Sequence, residues 1–411
     1  GAFILLDLAH PVARQQKICR AVSAKLVIAS VSQAATAGGL ASRVIMVGDN
    51  SIDWQVKDTI WKHSPVTPKN TLYAVFTFGS TGTPKGAIIS HAAFSVSATS
   101  HGPRLHLTPE ARVLQFVSYG FDVSISDILT TLISGACICV PSLAEKENVA
   151  MAINKYMATW AHLTPSIIRT LEPHTVPGLE VLALIGEPIT KSDVEIWGPH
   201  VQLINSYGPA ECAVVSTVQT HLESASDVGN IGWAVGCICW IVDRENHERL
   251  VPIGVVGELL IEGPIIGRGY LNPEQTAAAF INPPLWLHSF RRDCQPADLG
   301  RLYKTGDLVQ YTADGSLRFI GRKDMQVKLR GQRIELGEVE YYTRHCFAGA
   351  HDVVAEVVAP AEAGRPPMLV AFVRGDGLHQ EPEGQNCDTA APNEILASPT
   401  DVFRAAIPVA E

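Results

Sequence analysis

Seven short runs of β-branched and aliphatic residues recur between residues 24 and 208. They read AKLVIAS (24–30), VIMVG (44–48), YAVFTFG (73–79), VLQFVS (113–118), ACICVP (136–141), EVLALIG (180–186) and VQLINSYG (201–208). Near-continuous apolar runs of this length suit strands buried on both faces, which requires helices on both sides of a sheet. Helical patterns fall between several of them, at 86–100, 122–134 and 146–158, and another at 165–172 opens on a Thr-Pro-Ser. The alternation predicts an α/β fold with mostly parallel sheets. No internal repeat is visible.

The pattern changes after about residue 230. GELLIEG and VQYTADGSLRFIGR read as hairpin strands, and Asp314-Gly315 is a strong turn signal. Residues 282–300, rich in proline and polar groups, read as a surface loop. A boundary is expected near Arg322-Lys323-Asp324, giving a core of residues 1–323 and a smaller part, 324–411. Within the core, α/β layers run to about 230 and a β-rich part covers about 231–323. Beyond the boundary, QVKLRGQRIELGEVEYYTRHC predicts a short hairpin and then a helix from about Leu336. Residues 373–400 are rich in Gly, Pro, Glu, Asn and Asp and read as an exposed, disordered insertion.

A net charge of −9 argues against nucleic acid as a partner, because phosphate backbones are bound through basic surfaces. Nine scattered cysteines do not form a disulfide scaffold. Cys137-Ile138-Cys139 and Cys237-Ile238-Cys239 sit in apolar runs without companion ligands and read as core thiols. No run is long enough to span a bilayer, and no leader opens the chain, whose first residues, GAFILLDLAHP, read as strand-like. These features suggest a soluble cytoplasmic protein.

Residues 77–86, TFGSTGTPKG, look like a loop for a phosphate. A P-loop places glycine directly before its lysine and Ser or Thr after it. Here Pro84 precedes Lys85 and Gly86 follows, so that reading fails. The spacing of Gly79, Gly82 and Gly86 also fails the dinucleotide pattern. What remains is a strand that ends in hydroxyls and backbone N–H groups able to wrap a polyphosphate, with Lys85 to neutralise it. The plain alternative is a flexible turn.

TFGSTGTPKGAIISH resembles the phosphate loop of the adenylate-forming superfamily: acyl-CoA synthetases, luciferases and the adenylation domains of nonribosomal peptide synthetases. NSYGPAE (205–211), GELLIEGPIIGRGYLN (257–272), YKTGDLV (303–309) and GRKDMQVKLRGQRIELGEVE (321–340) resemble further motifs of that family, in order. GAFILLDLAHPVARQQKI (1–18) resembles an early motif of the peptide synthetases, with a fungal flavour. The resemblance implies the adenylate-forming fold, with a large α/β core, a β-rich subdomain and a small α+β C-terminal domain. It also implies residue roles. Gly79, Ser80, Thr81, Gly82, Thr83 and Lys85 would hold the β,γ-phosphates of ATP. Gly186, Glu187, Pro188, Asn205, Ser206, Tyr207 and Gly208 would line the adenine site, with Tyr207 stacked on the base. Glu211 would hold Mg²⁺, and Asp307 and Arg322 the ribose. Thr81, Lys85 and Glu211 would be the catalytic set. Taken singly, Asp307 could be a turn residue, Arg322 a surface charge and Tyr207 a core aromatic.

In amino-acid-activating members of the family, an aspartate near a helix start pairs with the α-ammonium, and YGFDVSISDIL places Asp122 there. The alternative is that Asp122 caps a helix starting at 123. The remaining pocket positions implied by the resemblance are Val123, Ser126, His162, Ala183, Ile185, Ser206, Val214 and Val215. Small Ser126 and Ala183 make room, and Ser126, His162 and Ser206 add polarity, which suggests a mixed pocket for a side chain able to hydrogen-bond. His162 could equally be a structural histidine.

The family also uses a lysine in a GK motif near the end of its small domain. No lysine follows Lys328, so the sequence reads as truncated at both ends and weakly active. Asp324 matches the hinge on which that small domain swings, and Gly331 a loop that would approach the carrier thiol. The function implied is amino-acid adenylation by a monomeric domain, followed by transfer to the phosphopantetheine of a peptidyl carrier domain beside condensation domains. An acyl- or aryl-CoA ligase and a non-catalytic nucleotide-binding module remain the alternatives.

Overall fold

The computed structural model describes residues 1–48, 64–77, 85–220, 222, 228–291, 300–323, 326–329, 332–347, 350–358, 368–375, 395–397 and 403–406. The phosphate-loop residues Gly79 to Thr83, the hinge candidate Asp324 and Gly331 lie outside them.

Helix α1 (Val12–Ala21) leads into two parallel strands, β1 (Leu26–Ser30) and β2 (Arg43–Val47). The first eleven residues form no strand beyond an isolated bridge from Phe3 to Tyr73, and Phe3 and Leu5 pack against the main core. Strands β3 (Thr71–Thr77) and β4 (Lys85–Ser90) form an antiparallel hairpin. The helix expected at 86–100 therefore starts later, as α2 (His91–Arg104). Pairing with β3 claims residues 85–90, and Ser90 then caps α2 by accepting the Ala93 N–H.

Next come β5 (Arg112–Leu114), α3 (Asp122–Ile133), β6 (Cys137–Cys139), α4 (Val149–Lys155) and β7 (Trp160–Leu163). Strand β8 (Val181–Leu184), α5 (Lys191–Trp197) and β9 (Gln202–Tyr207) complete the alternating part. Strands β6, β5, β7, β8 and β9 are neighbours in that order, all parallel. Their alternate residues feed two cores. Trp160, Ala183 and Ile204 pack on the α2–α3 side with Ala93 and Ile125. Ala161, Leu182 and Leu203 pack on the other face with Ile153 and Trp197. Burial on both faces is why these strands read as unbroken apolar runs.

The sheet is mixed rather than mostly parallel. Strand β10 (Thr217–Gln219) adds on antiparallel to β9, and β11 (Asn230–Ala234) antiparallel to β10. Beyond them lie β12 (Ile238–Val242), β13 (Gly257–Glu262), β16 (Leu302–Tyr311) and β17 (Leu317–Arg322). The result is one twelve-stranded sheet running from β6 to β12. Two short strands complete this region: β14 (Gly269–Tyr270) extends the β3–β4 hairpin, and β15 (Phe280–Ile281) pairs with β16. Asn205 and Asn230 tie the two halves. Asn205 Nδ2 donates to the Asn230 carbonyl at 2.9 Å, and Asn230 Nδ2 to Ser316 Oγ at 2.7 Å. The stretch read as a surface loop at 282–300 contains a helix, α6 (Leu285–Phe290), with Trp286 and Phe290 against Trp240. The β16–β17 turn is as expected, with Gly315 at φ +82°.

Strands β18 (Gln326–Leu329) and β19 (Gln332–Glu335) form the predicted hairpin, followed by α7 (Leu336–Cys346). A four-stranded antiparallel sheet follows, made of β20 (Ala350–Val358), β21 (Met368–Gly375), β22 (Ile395–Ala397) and β23 (Phe403–Ala406). Both β21 and β22 enter the stretch expected to be disordered at 373–400. The core-thiol reading holds for Cys139 and Cys239, but Cys137 is exposed at an outer strand of the large sheet. No described helix is long and apolar enough to cross a membrane.

Candidate active site

The β3–β4 register pairs Thr77 with Lys85, so the phosphate-loop sequence joins two strands already in hydrogen-bonding distance. Lys85 is half-buried at the first position of β4. Gly86 has a steric reason: a Cβ there would stand 2.6 Å from Leu271 Cδ1. Leu271 N–H donates to the Gly86 carbonyl at 2.9 Å, which fixes that close approach.

At the end of β9, the Tyr207 hydroxyl donates to Asp307 Oδ2. The β16–β17 register places Asp307 opposite Arg322, whose Nη1 donates to Asp307 Oδ1 at 2.7 Å. Three residues that the sequence holds far apart thus meet in one buried cluster. Burial, and then the Asp307 charge, push the Tyr207 phenol well above its ordinary pKa, so it stays a donor. Each carboxylate oxygen has two acceptor sites, so Asp307 keeps capacity for two further hydroxyls.

Gly208 follows, and a Cβ there would lie 2.1 Å from the Val214 carbonyl oxygen. The backbone of 213–216 folds back across it, with Ser216 N–H donating to the Tyr207 carbonyl at 2.8 Å. That return forces Ala213 and Val214 into positive φ, +52° and +82°. A β-branched residue there is strained, and such strain gathers at functional sites.

Glu211 is buried, and its Oε1 accepts from the Tyr270 hydroxyl at 2.6 Å. Among the described residues no cluster of three or more His, Cys, Asp or Glu could hold a metal ion. One oriented carboxylate fits Mg²⁺, which keeps several waters and relies on substrate phosphates for the rest. Tyr270 was not singled out from the sequence; it lies inside GRGYLN, and nothing in its spacing marks it as the partner of Glu211.

Gly186 has φ +89° just past β8. Glu187 Oε2 accepts from the Ser166 N–H and hydroxyl at 2.9 and 2.6 Å, and Pro188 is exposed. Asn205 and Ser206 likewise have internal partners, with Ser206 Oγ donating to the Leu184 carbonyl at 3.0 Å.

Helix α3 starts at Asp122 itself, with Phe121 as its N-cap. The capping alternative for Asp122 is therefore wrong: it is a first-turn residue, where a carboxylate suits the helix dipole. Burial, and then Asp122, raise the Tyr73 phenol, whose buried hydroxyl has no hydrogen-bond partner among the described residues. Val123 packs against the core beside buried Ala183, Ile185, Val214 and Val215. Ser126 Oγ pairs with His101 Nε2 at 3.2 Å and Thr130 Oγ1 at 3.1 Å. Burial, then His162, lower His101 to about 3, keeping it neutral. His162 is buried, with Nδ1 2.7 Å from Asp127 Oδ1. Burial pushes the Asp127 carboxyl up, and the nearby His162 and Lys146 pull against it.

Residues 1–271 match the family model of the AMP-binding enzymes. The chain belongs to the AMP-binding enzyme family. Among curated proteins, this AMP-binding enzyme is 47% identical over 427 residues to D-lysergyl-peptide-synthetase subunit 2 of Epichloe festucae var. lolii. That match covers 100% of the chain and 31% of the relative. It is 47% identical over 386 residues to nonribosomal peptide synthetase otaB of Aspergillus carbonarius, covering 93% of the chain and 20% of that protein. The chain thus spans a third or less of the length of these curated relatives. Among solved structures, the Vibrio cholerae adenylation domain AlmE, in complex with glycyl-adenosine-5'-phosphate, is 25% identical with a TM-score of 0.74. That match covers 91% of this AMP-binding enzyme and 75% of AlmE. Holo-PA1221, a nonribosomal peptide synthetase protein with adenylation and carrier domains, is 26% identical with a TM-score of 0.77 over 92% of this chain and 64% of that one. These matches bear out the resemblance to peptide-synthetase adenylation domains and the α/β fold expected from it.

Proposed function

We propose that the chain activates an α-amino acid with ATP and passes it to the phosphopantetheine thiol of a carrier domain in nonribosomal peptide synthesis. A carboxylate oxygen of the amino acid attacks the α-phosphorus of ATP. The bond from that phosphorus to the oxygen leading to the β-phosphate breaks, and pyrophosphate leaves. The carrier thiol then attacks the acyl carbon, AMP departs and the thiol proton goes to solvent.

The convergence of Tyr207, Asp307 and Arg322 carries this reading. A buried carboxylate, oriented by a phenol and a guanidinium beside an aromatic ring, is suited to a ribose next to a base. Lys85 would neutralise the leaving phosphates and the Thr81 hydroxyl would donate a hydrogen bond to them, each acting where charge develops. Glu211, held by Tyr270, would ligate Mg²⁺, which neutralises phosphate charge when bound. Asp122, at the start of α3, would pair with the α-ammonium, distinguishing an amino acid from a fatty or aryl acid. Asp324 would serve as the hinge between residues 1–323 and 324–411. Condensation domains of the same synthetase, a monomeric adenylation unit and a cytoplasmic setting complete the proposal.

Amino-acid-dependent exchange of labelled pyrophosphate into ATP tests it. The purified chain should exchange, and Asp307→Ala should lose most of the rate. Equal exchange by the variant would remove Asp307 from the nucleotide site.

A further inference from the structure

Eight buried side-chain polar atoms lack a hydrogen-bond partner among the described residues. Three of them, Asp127 Oδ2, Thr131 Oγ1 and His162 Nε2, belong to α3 and to β7, which the Asp127–His162 bond joins. Leaving such an atom unpaired in the interior costs about 1–3 kcal/mol, so a cluster of them calls for an explanation.

The neighbours do not supply partners. The Trp160 ring lies edge-on to His162, with centroids 4.5 Å apart, but its N–H donates to the Leu105 carbonyl at 2.8 Å. Both His101 nitrogens are engaged, Nδ1 with Ser97 Oγ and Nε2 with Ser126 and Thr130. Asp127 and His162 are 2% and 1% exposed, so bulk water does not reach them. The strand register sets Ala183 beside His162 on the same face, so the position next to the imidazole carries only a methyl. Asp122 stands at the first turn of α3 and Asp127 five residues further on, about 7.5 Å along the helix axis.

We infer that Asp127 is a positioning residue for substrate choice: it fixes His162, whose Nε2 receives the side chain of an α-amino acid ending in a hydroxyl or an amide. The inference rests on the adenylation reading above. Hydroxyl and amide groups both donate and accept, so they satisfy the imidazole in either tautomer. An apolar side chain would leave Nε2 and Asp127 Oδ2 unpaired, and sites built to hydrogen-bond a substrate group reject analogues that lack it.

The test is a pyrophosphate-exchange panel on the purified chain, comparing hydroxyl- and amide-bearing amino acids with isosteric apolar ones and with lysine and ornithine. A hydroxyl or amide substrate should lead by at least about 100-fold in kcat/KM. Asp127→Leu and His162→Phe should raise KM for that amino acid about 10-fold or more. They should leave the KM for ATP unchanged and narrow the gap to the apolar isostere. Asp127→Asn, which keeps an acceptor at the same place, should recover part of the loss. Preference for an apolar or cationic side chain by the unmodified chain would overturn the inference while leaving adenylation intact. So would an equal loss for every substrate in both variants, the mark of a purely structural pair or of a bridging water. Exchange with no amino acid of any kind would instead sink the adenylation reading. Because the panel itself uses the unmodified chain, failure of a variant to fold leaves it decisive.

Discussion

Tyr207 donates its hydroxyl proton to the carboxylate of Asp307, a residue one hundred positions further along the chain. Arg322 holds the other carboxylate oxygen from the neighbouring strand. The carboxylate is therefore oriented before any ligand arrives, which removes part of the ordering cost of binding. Tyr207→Phe and Asp307→Ala separate the two contributions. Loss of the carboxylate should lower kcat/KM for ATP by one to two orders of magnitude, from charged hydrogen bonds of about 1.5–3 kcal/mol. Loss of the hydroxyl alone should cost less than tenfold, since the ring and the carboxylate both remain. Steady-state exchange kinetics in ATP provide the check.

Tyr270 offers a second separation. Its hydroxyl orients Glu211 without standing in the proposed metal's own coordination sphere. Tyr270→Phe should raise the Mg²⁺ concentration needed for half-maximal exchange by about tenfold, as removal of such outer partners does elsewhere. Titration at saturating ATP measures it. An unchanged Mg²⁺ requirement would detach Glu211 from the metal.

Gly208 and Gly315 should respond in opposite ways. At Gly208 a Cβ would collide with the backbone at Val214, which cannot move without undoing the strained return. Gly208→Ala should destabilise by about 3 kcal/mol, the upper end for overpacking. Gly315 has positive φ but open space around it, so Gly315→Asn should be nearly neutral, asparagine being tolerant of that conformation. Thermal melts of both variants decide.

Asp193 links pH to stability. It caps α5 through Thr190 and takes two bonds from Arg169, at 2.9 and 2.7 Å. Burial alone would raise its pKa, but Arg169 and Thr190 outweigh that and hold it below the ordinary aspartate value. A depressed folded value means the stabilisation is complete above the unfolded pKa, about 3.9, and is lost as pH falls through the folded one. Asp193→Asn should therefore cost about 1–2 kcal/mol near neutrality. The gap should close below about pH 4, as followed by denaturant melts across pH.

The parallel half of the sheet was legible in the sequence because burial on both faces writes itself as continuous apolar runs. Sequence alone starts the second helix at 86 rather than 91, because 85–90 carries residue types that suit either state; only pairing with β3 decides it. Helix α6 was hidden among prolines, and its support comes from Trp240 in a distant strand. At the site, Tyr207, Asp307 and Arg322 were readable as motif positions, but not that they bond to one another. Tyr270 and Asp127 were not readable at all. Each bonds to a second residue, and the folded chain, rather than spacing in the sequence, brings the pair together.

Pyrophosphate exchange by Asp122→Ala, run with an α-amino acid and with its deamino analogue, tests the central claim most directly. The unmodified chain should exchange with the amino acid and hardly at all with the analogue. The variant should lose the amino-acid-dependent rate by two orders of magnitude or more, about 2.7 kcal/mol, as expected for an ammonium left without its carboxylate. Comparable exchange with both acids, unaltered by Asp122→Ala, would contradict amino-acid activation at this site.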